Sequence, residues 1–240
     1  MANFTIIGYG KMGKEIEKIL LGLQHSVVAV INREEDWEKQ FDSFLSSDAA
    51  IEFSTPGSAI SNFYRCFDHQ IPLISGTTGW YGQMEQVLEK CKNSSNTFIY
   101  GSNFSIGANI FFKMNEMLAS LMNQQEQYEV TVEETHHITK KDAPSGTAIT
   151  LAQSIISQLD RKKSWQLSES STSEIVSIKA NRIADISGIH KVVYSSEEDV
   201  IELKHTAHHR AGFAQGAVKA ALWLIQHPGI YNFKDIALAL

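Results

Sequence analysis

Residues 3–20 read NFTIIGYGKMGKEIEKIL, and this stretch restricts the possible folds more than any other. A short apolar run, Phe4 to Ile7, meets three glycines spaced Gly8-x-Gly10-x-x-Gly13. Ile16, Ile19, Leu20 and Leu23 then recur at helical spacing. The pattern is strand, glycine turn, helix. Gly8 permits a tight turn, Gly10 lets backbone approach a pyrophosphate, and Gly13 lets the helix pack closely on the strand. The first turn of such a helix offers unpaired N–H groups and a positive dipole end to an anion. Alone, the motif is equally a tight turn without a ligand.

The neighbouring sequence favours a ligand. Val27 to Ile31 forms a second apolar run where a βαβ unit requires one, and further runs lie at 49–53, 71–75 and 97–100. Helical patterns fall between them, at 58–69 and 80–92. Alternating elements with near-continuous apolar strands predict an α/β fold, a Rossmann-like, doubly wound parallel sheet. The glycine loop (Gly8, Tyr9, Gly10, Lys11, Met12, Gly13) is then the expected dinucleotide site. Asn32 and Arg33 end the second strand, where an acid favours a ribose hydroxyl and an arginine a 2′-phosphate. That pair suits NADH and NADPH alike, although Arg33 could equally be a solvated charge. Gly76, Thr77 and Thr78, and then Gly101, Ser102, Asn103 and Phe104, follow two further strands, where cofactors bind in such sheets. Simple turn chemistry would explain them as well.

Bulk properties exclude some classes. A net charge of −6 argues against a nucleic-acid partner. No apolar run is long enough to span a membrane, and MANFTIIGYG lacks the features of a secretory signal. Cys66 and Cys91 are too few for a disulfide framework, so a cytoplasmic setting is expected.

From Ile106 the pattern changes. An amphipathic helix is expected through 109–123, an alternating strand through 128–137, and a helix through 147–159. Residues 161–174 are polar and read as a surface loop. Two or three strands are expected over 174–207, with turns near Ser187-Gly188 and Ser195-Ser196, and a buried helix over 213–226. The expected organisation is a dinucleotide-binding domain, 1–105 with 211–240, interrupted by an inserted α+β domain with an open mixed sheet, 106–210.

Within the insert, EETHHITKKDAPSGTA gathers two histidines, two lysines and a Ser-Gly-Thr turn just before a helix. The pattern Glu134-x-His136-His137-x-x-Lys140-x-Asp142-x-Pro144-Ser145-Gly146-Thr147-Ala148 resembles the signature of the dihydrodipicolinate reductase family. The resemblance extends over nearly the whole chain, through IEFSTP at 51–56, GTTG at 76–79, SNFSIGAN at 102–109, Gly188-x-His190 and HTAHHRAGFAQGAVKAALWL at 205–224. Three departures stand out. Asn32 occupies a position where many members carry an acid, Ala184 stands where glycine is expected, and 161–174 is shorter than in many relatives.

The resemblance implies reduction of a six-membered nitrogen ring carrying two carboxylates, with hydride from NADH or NADPH, in diaminopimelate and lysine synthesis. It further implies a homotetramer. His136 is then the general acid and Lys140 meets a carboxylate and takes part in proton donation. His137 touches substrate from the opposite strand face. Gly146 and Thr147 hold a carboxylate at a helix N-terminus. No metal is expected; a zinc site from His136, His137, His205, His208 and His209 is the alternative weighed, and no cysteine pattern or HExxH helix accompanies it. Asp142 is expected to orient or cap, and Arg210 to reach coenzyme or substrate. Another NAD(P)-dependent oxidoreductase, or a non-catalytic NAD-binding sensor, are the competing readings.

Overall fold

The computed structural model describes residues 1–168, 172–184, 186–209 and 211–240. Two compact units result: Met1–Ile106 with Ala211–Leu240, and Gly107–Arg210.

In the first unit, β1 (Asn3–Ile7), β2 (Ser26–Ile31), β3 (Ala49–Glu52), β4 (Leu73–Ser75) and β5 (Phe98–Tyr100) alternate with α1 (Lys11–Gly22), the short α2 (Glu34–Lys39) and α3 (Phe41–Leu45), α4 (Pro56–Asp68) and α5 (Met84–Asn93). After the insert, α8 (Ala211–Gln226), β11 (Ile230–Asn232) and α9 (Phe233–Ile236) complete it. All six strands are parallel, in the order β11-β5-β4-β3-β1-β2. Helices cover both faces, which is why the central strands are mostly apolar. On one face Phe4, Ile6 and Ile51 pack with Ile16 and Leu20 of α1 and Ala217 and Ala221 of α8. On the other, Ile7, Ala50 and Leu73 pack with Phe63 and Phe67 of α4 and Val87 of α5.

In the second unit, α6 (Ile106–Met122, beginning at the unit boundary) leads into β6 (Glu129–His136), α7 (Gly146–Gln158), β7 (Ser164–Leu167), β8 (Ile175–Arg182), β9 (Gly188–Ser195) and β10 (Val200–Ala207). The sheet order is β10-β9-β6-β8-β7, with β6, β8 and β7 parallel and β9 antiparallel to both its neighbours. This is the expected open mixed sheet. Along β6 every second residue is buried, Val130, Val132, Glu134 and His136. The period of two marks a sheet with one covered face, and Leu151, Ala152 and Ile155 of α7 help cover it.

The expected loop at 161–174 is corrected, because Ser164–Leu167 is an edge strand paired parallel to β8. An edge strand needs one neighbour and leaves its other side to water, so its polar composition reads as loop. Residues 169–171 of that segment lie outside the described residues.

Candidate active site

The glycine turn is built as its spacing demands. Gly8 has φ +90°, and a Cβ there would sit 2.2 Å from the Phe53 carbonyl oxygen; one on Gly13 would sit 2.3 Å from the Gly8 carbonyl oxygen. At Gly10, the N-cap of α1, a Cβ would meet nothing within 4 Å. Two glycines are therefore needed for packing, and the third leaves open approach to the helix N-terminus.

Two cavities adjoin this turn. One, of about 310 Å³, brings Gly10, Lys11 and Met12 together with Gly76, Thr77 and Thr78, and adds Phe53, Ser54 and Pro56. The other, of about 90 Å³, joins Gly8, Asn32 and Arg33 with Ser54, Ser58 and Asn62. The Asn32 side chain accepts the Tyr9 N–H at 2.9 Å, which ties the end of β2 to the glycine loop. Asp36 accepts the N–H groups of Asn32 and Arg33 at 2.9 and 2.8 Å, bonds that lower its pKa. Arg33 is largely exposed, 3.7 Å from Glu35. Open N–H groups at α1, neighbouring small polar loops and an arginine at the end of β2 fit an NAD(P) dinucleotide.

Gly101, Ser102, Asn103 and Phe104 line neither cavity. Phe104 packs into the core against Phe233, with ring centroids 4.4 Å apart. The Asn103 side chain accepts the Ser105 N–H at 2.9 Å. A larger hollow of about 640 Å³ beside α2, α3 and α4 holds none of the glycine-loop residues.

In the second unit, Glu134 organises the site. It is fully buried. The Ser145 N–H donates to both its oxygens, at 3.2 and 3.1 Å. Arg182 donates from both terminal nitrogens to Oε1, at 3.3 and 3.2 Å, and also holds the Asp142 carbonyl at 2.6 Å. His136 Nδ1 lies 3.5 Å and His190 Nε2 3.7 Å from Oε2. Burial pushes the Glu134 carboxyl up, but His190 and Ser145 outweigh it and bring it down to about 2. His136 is lowered to about 4, chiefly by burial and then by His190, with Glu134 opposing. Its buried Nδ1 has no hydrogen-bond partner among the described residues.

His137 is half-buried and meets the Thr139 hydroxyl at 2.7 Å, while His136 is buried. The two histidines thus differ in environment: His136 is the last residue of β6 and His137 the first beyond it. Lys140 Nζ donates to both Asp142 oxygens at 2.7 Å. Asp142 is therefore an ion-pair partner, and the capping expected of it falls to Ser145, whose hydroxyl accepts the Ala148 N–H at 3.3 Å. Gly146 and Thr147 open α7, and Gly146 faces open space. Ser145 Oγ also reaches His190 Nε2 at 3.1 Å.

Of the five histidines weighed as zinc ligands, His136 alone joins a close donor set among the described residues. Its companions are Glu134 and His190, with ligand atoms within 4.8 Å of one another. Arg182 and Ser145 already occupy that carboxylate, which leaves it poorly suited to a cation. His205 instead stacks on Phe111, with centroids 5.8 Å apart. Arg210 lies outside the described residues.

The sequence signature contained Glu134 and His190 without assigning either a role. Glu134 lies two residues before His136 on an alternating strand, so the two share a face. That parity was the available signal. Arg182 carried none.

A dinucleotide-binding sheet on the same chain as a buried carboxylate–histidine cluster beside a helix N-terminus fits the class of nicotinamide-dependent oxidoreductases. Comparison with known proteins narrows the class. The family model for the dihydrodipicolinate reductase N-terminus matches residues 2–104, and that for its C-terminus matches residues 107–237. The chain is 45% identical to the 4-hydroxy-tetrahydrodipicolinate reductase of Christiangramia forsetii, covering 98% of this chain and 97% of the relative. It is 34% identical to that of Methanoculleus marisnigri, covering 82% and 79%. The dipicolinate-bound dihydrodipicolinate reductase from Paenisporosarcina sp. TG-14 shares the fold, with a TM-score of 0.79 at 22% identity over 98% of this chain and 99% of that one. The chain belongs to the dihydrodipicolinate reductase family. Its activity is the NAD(P)H-dependent reduction of 4-hydroxy-tetrahydrodipicolinate in diaminopimelate and lysine synthesis.

Proposed function

We propose that the two units divide this reaction between them. Residues 1–105 with 211–240 hold the coenzyme through the glycine loop, Asn32, Arg33 and the loop at Gly76–Thr78, with 101–104 alongside. Residues 106–210 hold the dicarboxylate ring and carry the contacts of a homotetramer in the cytoplasm. When bound, the reduced nicotinamide supplies hydride to a ring carbon. Net replacement of the substrate hydroxyl by hydrogen consumes that hydride and one proton and releases water. His136 is the general acid. Lys140 neutralises one carboxylate and the developing charge. His137 contacts the ring, and the N–H groups of Gly146 and Thr147 receive a carboxylate at the positive end of α7.

The supporting observation is the clamp at Glu134, which ties the end of β6, where His136 sits, to the first residue before α7. Proton donor and anion receiver are thereby held at one place. His136→Gln is expected to lower kcat by about 100-fold or more with little change in KM, as loss of a positioned acid does. Near-normal turnover in that variant would remove His136 from the role.

A further inference from the structure

Glu52, the last residue of β3, is a carboxyl with no exposed surface. Among the described residues no lysine, arginine or histidine lies within ion-pair distance of it. Hydroxyls and one backbone N–H surround it instead. Oε1 accepts the Ser54 N–H at 3.0 Å, the Thr77 hydroxyl at 2.9 Å and the Ser54 hydroxyl, while Oε2 accepts the Ser75 hydroxyl at 2.6 Å. Three donors thus converge on Oε1 and one on Oε2.

The direction of these bonds is fixed from outside. The Thr77 hydroxyl accepts the Ser54 N–H at 2.8 Å, the Ser75 hydroxyl accepts the Thr77 N–H at 3.3 Å, and the Ser54 hydroxyl accepts the Asn62 amide at 3.2 Å and also meets the Ser58 hydroxyl at 3.1 Å. Each hydroxyl already receives an N–H, so its own hydrogen turns to Glu52. Burial raises the Glu52 carboxyl, and its donors oppose that rise. Backbone packing fixes the same two loops: the Gly76 N–H donates to the Glu52 carbonyl at 3.0 Å, and a Cβ on Gly76 would fall 2.0 Å from the Phe53 ring.

Ser54 and Thr77 line the 310 Å³ cavity together with Gly10, Lys11 and Met12. We infer that Glu52 is a positioning residue for the coenzyme: it draws the hydroxyl hydrogens of Ser54 and Thr77 inward, so that the Thr77 hydroxyl, which accepts one N–H, keeps an acceptor lone pair for a ligand. That part of the lining then suits uncharged hydrogen-bond donors, namely the ribose hydroxyls and carboxamide of the nicotinamide half. A buried carboxyl beneath it disfavours phosphate, which belongs at the N-terminus of α1. The inference rests on the assignment of this cavity to the coenzyme.

The test compares NADH with adenosine diphosphate, which lacks the nicotinamide half, by direct binding to the full chain. Glu52→Gln puts an amide donor where Glu52 offered only acceptors, against hydroxyls and an N–H that themselves donate. It is expected to raise the Kd for NADH about tenfold, the size of one mismatched buried hydrogen bond, and leave adenosine diphosphate unchanged. Ser75→Ala removes one donor to Glu52 without lining the cavity, and is expected to shift NADH in the same direction; it decides alone if Glu52→Gln does not fold. Unchanged NADH binding in the folded variants, or equal weakening of both ligands, would overturn the inference. Gly10→Asp tests the cavity assignment separately, because it places a carboxylate in open space at the N-terminus of α1. Wild-type NADH binding by that variant would sink the assignment itself.

Discussion

His136 stands at about 4 in the free protein, against 6.5 for an unperturbed imidazole. At neutral pH about one site in a thousand then carries the proton that the reaction needs. Substrate must bring the proton in with it. A unit charge about 5 Å away, at an effective dielectric of about 20, is worth about 3 kcal/mol, or about 2 pKa units. A dicarboxylate places one charge near that range and a second farther off, lifting His136 by about 2–3 units to about 6–7. Binding should therefore take up about half a proton near pH 6.5, fading toward zero by about pH 8.5. Calorimetric titration of a pyridine dicarboxylate in two buffers of different ionisation enthalpy reads this number directly. His136→Gln is the control and should take up close to none. Zero uptake by the wild-type protein at pH 6.5, or undiminished uptake by the variant, would refute the charge-coupling argument.

The same two shifts set the direction of acid sensitivity. Below about pH 6.5 the unfolded chain protonates His136 first, so stability falls between about pH 6.5 and 4; Glu134, at about 2 against 4.5, extends the loss from 4.5 downward. Calorimetric Tm should drop less steeply over the upper window in His136→Gln. Glu134→Gln leaves Arg182 facing a neutral amide and should cost about 3 kcal/mol in denaturant unfolding; a loss below about 1 kcal/mol would contradict the clamp. Lys140→Met should weaken pyridine dicarboxylate binding about tenfold or more while leaving NADH binding unchanged, a split measurable by separate titrations.

The parallel sheet was legible because the glycine spacing and the apolar runs are local signals. The elements missed were the short ones. α2 and α3 hold six and five residues in an acidic, aromatic stretch with no clear period. β11 holds three residues and exists by pairing with β5 from 132 positions away in sequence, for example Ile230 with Phe98. No local pattern encodes such a partner. β7 hid for the related reason that an edge strand can afford polarity. At the site, the signature exposed His136, His137, Lys140, Gly146 and Thr147, because it is contiguous. The residue that neutralises Glu134, Arg182, lies 48 positions away on β8 and reaches it through sheet register. Phe104 sits where a cofactor loop was expected, yet its ring belongs to the core with Phe233.

The late arrival of α8 and β11 carries a consequence for biosynthesis. Ala214, Ala217, Ala221 and Leu224 cover Phe4, Ile6 and Ile51, and they leave the ribosome about two hundred residues after those partners. Throughout that interval one side of the nascent first sheet is covered by α1 alone, while Gly107–Arg210 gains every strand of its own sheet before α8 is made. The insert is thus free to mature first during translation, and the first half must be shielded from aggregation until the chain is released.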